Sequence, residues 1–250
     1  MELTVLGACG TWPGPGQANC GYLVSHEGSH LWMDAGSGTF ANLQRHIRID
    51  QITAVLISHG HADHFVDTVS AFYARHYGGL GTPGLPFYSP PDFVGQACLL
   101  VSEGGLDVMR QAFAFTDVVG GSAFQVGPFG VTVFPMEHIG VQAVGYRIEA
   151  GGAVLAYTGD TGPSPAVIDL ARDADLFVCE ATYQEASRKF PFHMSAGQAG
   201  EHASAAGAKR LLLTHILPTL DPKTSAAEGA ATFAGPVDVA REGETVEIGA

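Results

Sequence analysis

The segment from His59 to His64 constrains this chain more than any other, because it places three histidines and one aspartate within six residues. An apolar run at 52–57 precedes it and predicts a strand, whereas the pattern at 65–76 predicts a helix. Burying so many imidazole and carboxylate groups without partners would be costly. Nitrogen and oxygen donors of this kind bind zinc and similar divalent ions. The segment therefore predicts a metal site at a strand-to-helix turn.

The spacing of these donors divides them between two ions. Alternate residues of an extended segment point the same way, so His59 and His61 converge on a first ion. Asp63 and His64 follow as the chain turns into the helix, and they can face a second ion. Two ions about 3.5–4 Å apart suit phosphoester hydrolysis. The alternative is a solvated turn that is merely rich in histidine, and the strand pattern directly before it argues against that interpretation.

Three further donors stand at the ends of predicted strands. His138 follows the apolar run 131–136 and would complete the set of imidazoles around the first ion. Asp160 lies beside glycine, so its carboxylate can approach and bridge both ions. His215 closes the run 211–214 and would serve the second ion. The alternatives are surface histidines and an ordinary turn aspartate.

Two other polar residues have settings of their own. His193 lies in a loop before the predicted helix 195–206, where it can donate a proton to a substrate leaving group. Asp34 ends a predicted strand and either braces the backbone or a histidine ring, or is a turn-forming aspartate. We interpret the remaining histidines as structural or solvent-facing: His26, His30, His46, His76 and His202.

Composition limits the classes of protein to which the chain can belong. Its 250 residues, 46% of them hydrophobic, suit a single domain over 1–250. A formal net charge of −13 opposes non-specific binding to nucleic acid or anionic membranes. The four cysteines include no Cys-x-x-Cys pair, so we expect free thiols, with Cys179 packed in a strand. No segment has the pattern of a leader or a membrane helix, so we expect a soluble, cytoplasmic protein.

Strand patterns occur in both halves of the chain, and helical patterns are attached to each half. This arrangement predicts an α+β fold in which two mixed sheets pack together with helices outside, a four-layer αββα sandwich. The irregular middle section, 78–113, is interpreted as a lid with helices at 91–101 and 106–113. The predicted strands are 3–6, 21–25, 31–34, 52–57, 131–135, 143–148, 154–157, 176–179, 209–214, 237–239 and 245–248, and the other helices are 40–47, 65–76, 165–172 and 195–206.

Over nearly the whole chain, the His59-x-His61-x-Asp63-His64 motif and the donors beyond it resemble the metallo-β-lactamase superfamily. The resemblance implies that superfamily's αββα fold with two divalent ions at one edge, zinc first, with manganese or iron as alternatives. The first ion would be held by His59, His61 and His138. The second would be held by Asp63, His64 and His215, with Asp160 bridging.

Finer similarities favour a phosphodiesterase branch. Segments 34–39, 156–161, 179–182, 193–195 and 212–215 are similar to those of ribonuclease Z and of related bacterial cyclic-nucleotide phosphodiesterases. In that branch Glu180 would orient His193, and the proteins are commonly homodimers. The implied reaction is attack of a metal-bound hydroxide on phosphorus, with Asp63 orienting the nucleophile and His193 protonating the departing oxygen.

Departures from ribonuclease Z point to a small substrate. Only 73 residues separate His64 from His138, without the basic arm that grips transfer RNA, and Ser37 replaces the usual glutamate. We therefore expect small or cyclic nucleotides ahead of RNA. The loop at Trp12 and the aromatic segment from Phe72 to Tyr77 would supply stacking for base and sugar, with core packing as the equal alternative.

Other functions stay open at this point. They are a ribonuclease Z-like RNA 3′-processing nuclease, a thioester or lactone hydrolase on the same metals, and a non-catalytic metal-binding member. The complete set of candidate ligands counts against the last. The candidate acid His193 distinguishes phosphodiester cleavage from thioester hydrolysis, because an alkoxide leaving group needs a proton and a thiolate hardly does.

Overall fold

The computed structural model describes residues 1–91, 93–187 and 190–249, and within them the strands form two sheets of seven. The first sheet has the order β14-β1-β2-β3-β4-β5-β6. Its strands are β1 (Glu2–Gly7), β2 (Gly21–His26), β3 (Ser29–Ala35), β4 (Ala54–Leu56), β5 (Leu85–Ser89), β6 (Phe113–Asp117) and β14 (Thr245–Glu247).

The second sheet has the order β13-β12-β11-β10-β9-β8-β7. Its strands are β7 (Ala123–Val126), β8 (Phe129–Met136), β9 (Ala143–Ala150), β10 (Ala153–Tyr157), β11 (Leu176–Glu180), β12 (Leu211–Thr214) and β13 (Val237–Val239). Both sheets are mixed, with parallel pairs from β3 to β6 in the first and from β10 to β13 in the second.

Helices cover the outer face of each sheet. Those on the first sheet are α1 (Thr39–Leu43), α2 (Ala62–Phe65), α3 (Asp67–His76), α4 (Phe93–Leu99) and α5 (Gly105–Ala112). Those on the second are α6 (Pro165–Ala171), α7 (Ala196–Ala206) and α8 (Pro222–Thr232). No helix in the described part of the chain is long and apolar enough to cross a membrane.

The alternation of side chains along the strands explains the layers. In β3, Leu31 and Met33 pack into the core between the two sheets, whereas Trp32 between them packs against the helices. Successive side chains of a strand point to opposite faces, so one strand can serve both cores when both of its faces are apolar. The predicted four-layer αββα sandwich is confirmed.

Several local predictions were wrong. The middle section does not form a lid, because it contributes β5 and β6 to the first sheet and packs α5 on it. Pro86 within β5 disguises that strand, since proline is rare inside sheets. The predicted helix 65–76 begins earlier and divides at Val66. Residue 92 of the predicted helix 91–101 lies outside the described residues.

Two more elements, β7 and α8, were not predicted. The strand β7 is short and largely exposed, so its sequence lacks a strong apolar alternation. The helix α8 is rich in alanine and has no clear apolar stripe, although Asp221 caps its first turn and Pro222 begins it. The four cysteines are buried free thiols, as expected, and Cys179 lies in β11.

The parallel strands place their carboxyl ends along one edge of the sandwich. Residues that follow β3 and β4 in the first sheet therefore face residues that follow β10, β11 and β12 in the second. Ligand sites in sheets of this kind form where the carboxyl ends of strands leave a crevice. The candidate site lies at this edge.

Candidate metal centre

The structure brings together all seven predicted metal ligands. Candidate ligand atoms of His59, His61 and His138 lie within 4.8 Å of one another. In a second group, too, the candidate ligand atoms all lie within 4.8 Å of one another, and its members are Asp63, His64, Asp160 and His215. The two groups have the membership that the sequence predicts, because strand ends distant in the chain meet at one edge.

The His59 to His64 segment changes direction where the prediction places the division between the groups. His61 is extended (φ −82°, ψ 140°) and stands immediately before α2. Asp63 and His64 then lie in the first turn of that helix, on the side of the second group. Glycine is required opposite this turn, since a Cβ at Gly36 would lie 2.1 Å from the carbonyl oxygen of Asp63.

The carboxylate of Asp160 stands between the two groups. Its Oδ2 atom lies 3.8 Å from Nε2 of both His59 and His138. Its Oδ1 atom lies 3.2 Å from Nε2 of His64, and Oδ2 is 3.3 Å from Nε2 of His215. One side chain thus faces imidazoles of both groups.

Unpartnered atoms at this place fit divalent cations. Nε2 of His59, Nε2 of His64 and Oδ1 of Asp160 are buried and have no hydrogen-bond partner among the described residues. Buried polar atoms without partners cost free energy, and native proteins rarely keep them. Imidazole nitrogens and carboxylate oxygens are ligands of zinc and related ions. The donor set therefore fits metal ions.

The electrostatics agree with this interpretation. Burial, with the neighbouring imidazole of His64, holds the pKa of His59 well below its usual range, which keeps the ring neutral as a ligand must be. Burial would also lower the pKa of His64. However, the carboxylates of Asp160, Asp63 and Asp34 outweigh burial and raise the pKa of His64 well above its usual range. Three carboxylates around one buried ring create a negative potential that a divalent cation would offset.

The rings of the candidate ligands are held from behind. Nδ1 of His59 lies 3.1 Å from Oγ of Ser58, and Nδ1 of His138 lies 3.0 Å from the carbonyl oxygen of Phe192. Such bonds fix the orientation of a ring and turn its other nitrogen to the metal. His61 contacts His138 directly, at 2.9 Å between Nδ1 and Nε2.

Asp34 braces both the backbone and a histidine ring, which is the first of the two roles weighed for it. Its Oδ1 atom accepts a hydrogen bond from the backbone N–H of Ser58 at 2.7 Å, and Oδ2 accepts one from the hydroxyl of Ser58 at 2.7 Å. Oδ2 also lies 2.7 Å from Nδ1 of His64 and accepts from the hydroxyl of Tyr157 at 2.6 Å. Asp34 therefore ties the backbone before the metal motif to one candidate ligand of the second group.

Three residues at the site have left-handed backbone conformations. Five non-glycine residues of the described chain have φ between 47° and 61°, and three of them are Thr11, Asp34 and His215. The backbone N–H of Thr11 lies 3.4 Å from Nε2 of His215, so the loop before Trp12 reaches the second group. Left-handed conformations are costly for residues with a Cβ and often occur at functional sites.

Next to the cluster, His193 and Glu180 form the predicted pair. Nδ1 of His193 lies 2.9 Å from Oε1 of Glu180, which is fully buried in the last position of β11. Burial alone would lower the pKa of His193, but the carboxylates of Glu180 and Asp160 raise it to about 9. With Nδ1 engaged by Glu180, the free ring nitrogen of His193 is Nε2.

Sequence reasoning missed Thr182, whose hydroxyl joins three of these groups. Oγ1 donates to Oε2 of Glu180 at 2.6 Å and lies 2.8 Å from Nδ1 of His215 and 3.2 Å from Nδ1 of His193. Because the single hydroxyl proton goes to Glu180, Nδ1 of His215 must donate to Oγ1. In a neutral ring this leaves Nε2 of His215 as an acceptor, 3.3 Å from oxygens of Asp63 and Asp160. A divalent cation between the nitrogen and these oxygens would satisfy all three atoms.

The aromatic residues considered for the substrate have different positions. Trp12 is 45% exposed and directly follows Thr11, the loop residue that contacts His215. Phe72 is fully buried in the core outside the first sheet, so the core-packing alternative applies to it. Tyr73 is exposed rather than on the packed face of α3, and its ring stacks on that of Tyr77 at 5.8 Å.

Comparison with known proteins identifies the family. Residues 30–216 match the beta-lactamase superfamily domain. The chain belongs to the beta-lactamase superfamily. An uncharacterized protein of Mycobacterium leprae, ML1173, is 34% identical over 99% of this chain and 89% of its own length. The probable metallo-hydrolase YhfI of Bacillus subtilis is 30% identical over 97% of this chain and 98% of its own. A ribonuclease Z of Haloferax volcanii is 25% identical over 99% of this chain and 95% of its own length.

Solved structures of this superfamily have the same fold. The metallo-β-lactamase fold protein YhfI of Bacillus subtilis superposes with a TM-score of 0.88 at 26% identity, covering 98% of each chain. The short form of human tRNase Z gives 0.78 at 20% identity over 100% of each chain. A diphosphatase of the PhnP family gives 0.75 at 19% identity over 98% of this chain and 97% of its own. The last two similarities show the fold alone, and the relatives together place this chain among the metallo-hydrolases.

Proposed function

We propose that this protein is a dinuclear metal-dependent phosphodiesterase that acts on small or cyclic nucleotides. The observation that carries the proposal is the pair formed by His193 and the buried Glu180 beside a complete set of candidate ligands, with 2.9 Å between Nδ1 and Oε1. A metal site without an acid would suffice for substrates with good leaving groups. A histidine backed by a buried carboxylate suits the poorer alkoxide leaving group of a phosphodiester.

In this proposal one divalent ion would be held by His59, His61 and His138. The other would be held by Asp63, His64 and His215, and Asp160 would contribute to both sites. Zinc is the expected metal, with manganese or iron as alternatives. When bound, such ions polarise phosphoryl oxygens and lower the pKa of water to about 7 in favourable cases, so no serine or cysteine nucleophile is needed. The position of Asp160 between the two groups supports its role as the bridge.

His193 then donates a proton from Nε2 to the departing oxygen. Glu180 keeps the ring in one orientation through Nδ1 and favours its protonated form, which a proton donor requires. The ring lies within reach of both groups, since its centroid is 4.9 Å from that of His138 and 5.6 Å from that of His215. Asp63, whose carboxylate is the least buried of the second group, is assigned to orient the nucleophile.

The acidic composition supports a small substrate. A net charge of −13 disfavours the many phosphate contacts by which proteins grip a folded RNA. A cyclic nucleotide needs only the ions, an acid and a pocket for base and sugar. The single domain over 1–250, the homodimeric state and the cytoplasmic location expected from the sequence remain predictions that accompany this proposal.

A substrate comparison tests the proposal. Metal-loaded protein is given cyclic AMP, a linear dinucleotide, a 3′-extended transfer RNA, a lactone and a thioester in parallel. The proposal expects hydrolysis of cyclic AMP or the dinucleotide ahead of the others. Efficient trimming of transfer RNA without hydrolysis of small phosphodiesters would favour the ribonuclease Z-like alternative. Preference for the lactone or thioester would contradict phosphodiester chemistry.

A further inference from the structure

A cavity opens beside the metal motif, next to the segment that carries His59 and His61 of the first group of candidate ligands. It has a volume of about 220 Å³, and Gly60, between His59 and His61, forms part of its wall. The carboxamide of Gln96 lies against that backbone, because a Cβ at Gly60 would lie 2.6 Å from Oε1 of Gln96. The cavity is therefore in contact with the segment that carries two candidate ligands.

The opposite wall belongs to the segment that carries the third ligand of this group. Gly140, Val141 and Gln142 line the cavity and follow His138 by two to four residues. The cavity thus lies between the two segments that carry the candidate ligands of this group. Gly140 presents no side chain to the cavity, and no atom lies within 4 Å of the place that a Cβ would occupy there.

The described lining residues suit a flat ligand that forms hydrogen bonds. Pro90, Pro91 and Phe93 supply apolar surface, whereas Gln96 supplies a carboxamide that both donates and accepts hydrogen bonds. The described residues that line the cavity carry no formal charge. Its volume corresponds to about seven water molecules, enough for a flat heteroaromatic ring.

We propose that this cavity binds the nucleobase of the substrate and that Gln96 reads the hydrogen-bonding edge of the base. This inference rests on the proposed function, because it assigns a place to one part of a nucleotide substrate. Glutamine pairs well with adenine, whose edge offers an acceptor beside a donor. Gln96 is exposed and makes no hydrogen bond to any residue that the structure describes, so its amide is available to a ligand. Adenine is accordingly the expected base.

Binding measurements on the metal-loaded protein distinguish the contribution of the base to affinity from that of the phosphate. Calorimetry compares adenosine 5′-monophosphate with ribose 5-phosphate, which lacks the base. The proposal expects the nucleotide to bind more tightly, and Gln96→Ala to reduce that preference by about five- to 100-fold. Gln111→Ala, which changes an exposed glutamine of α5, is the matched control and keeps the preference. Equal binding of the two ligands by the unchanged protein would overturn the proposal.

A charge-changing variant gives a second readout. A carboxylate at this position accepts hydrogen bonds but donates none, so Gln96→Glu should disfavour adenine and favour the amino edge of cytosine. The ratio of adenosine to cytidine 5′-monophosphate binding should therefore fall. An unchanged ratio in Gln96→Glu, with an unchanged preference in Gln96→Ala, would remove Gln96 from base recognition.

The outcomes keep this inference distinct from the proposed function. Loss of nucleotide preference in Gln96→Ala, in a protein that hydrolyses no phosphodiester, would support the cavity and contradict the phosphodiesterase. Hydrolysis of cyclic AMP that is unaffected by Gln96→Ala would support the phosphodiesterase and contradict the role of the cavity. In an active protein, turnover of bis(4-nitrophenyl) phosphate, which has no base, should stay within about twofold in Gln96→Ala.

Discussion

Nδ1 of His64 lies 2.7 Å from Oδ2 of Asp34, and both side chains are fully buried. The bond joins the end of β3 to the first turn after β4, two strands that pair in parallel. It turns Nε2 of His64 towards Asp160 and the second group of candidate ligands. A residue that would not touch the metal thus decides how one ligand is presented to it.

Replacing Asp34 by asparagine should therefore weaken the second ion. An amide cannot accept from His64, Ser58 and Tyr157 as the carboxylate does, and partners behind metal ligands contribute about 10- to 100-fold to affinity. Competition with a chelator measures the affinity of each ion. Asp50→Asn, at an exposed aspartate paired with Arg48, is the control. Unchanged affinity for both ions would contradict the role given to Asp34.

Variants at Asp160 and His215 should differ in how many ions they lose. Asp160 faces imidazoles of both groups, so Asp160→Ala should impair both sites. His215 belongs to the second group, so His215→Ala should chiefly release one ion. Elemental analysis of protein dialysed under identical conditions measures the difference. Retention of both ions in Asp160→Ala would argue against the bridging assignment, and retention of both in His215→Ala would argue against His215 as a ligand of the second ion.

His193→Ala should keep the metal content and lose turnover. It removes the proposed proton donor, and general acid catalysis contributes about 10²–10⁴-fold. The loss should be much smaller for a nitrophenyl ester, whose leaving oxygen is already a stable anion, than for an alkyl or ribose leaving group. His202→Ala, in α7, is the matched control. Equal losses for both leaving groups would mean that His193 positions the substrate instead.

Thr182→Val should affect both the metal and the acid. Valine keeps the shape of threonine but removes the hydroxyl that receives the Nδ1 proton of His215 and donates to Glu180. We expect about tenfold weaker binding of the second ion together with slower turnover. Chelator competition and steady-state kinetics measure the two effects. If Thr182→Ser restores both, the hydroxyl is responsible; wild-type behaviour of Thr182→Val would contradict this role.

The grouping of the candidate metal ligands could be predicted because most of its signal is local. Four of the seven stand within six residues, and the other three each follow an apolar run that ends at the same edge of the sandwich. The fold class followed from alternating apolar patterns, which the cores on both faces of the sheets confirm for residues such as Leu31 and Trp32.

The parts that could not be predicted depend on contacts between distant strands. Threonine is common in strands, and Thr182 meets His215 only because β11 pairs with β12 in a register that sets Glu180 beside Thr214. The two roles weighed for Asp34 could not be separated without the pairing of β3 and β4. Likewise, Pro86 argues against a strand in the local sequence, and β5 forms because it pairs with its neighbours β4 and β6.

Anomalous scattering from crystals of the metal-loaded protein would locate the ions themselves. We predict two ion positions in each chain, one among His59, His61 and His138. The other is predicted among Asp63, His64 and His215, with the carboxylate of Asp160 between the two. A correctly folded, metal-replete protein with no ion near His59 and His61 would contradict the dinuclear metal centre.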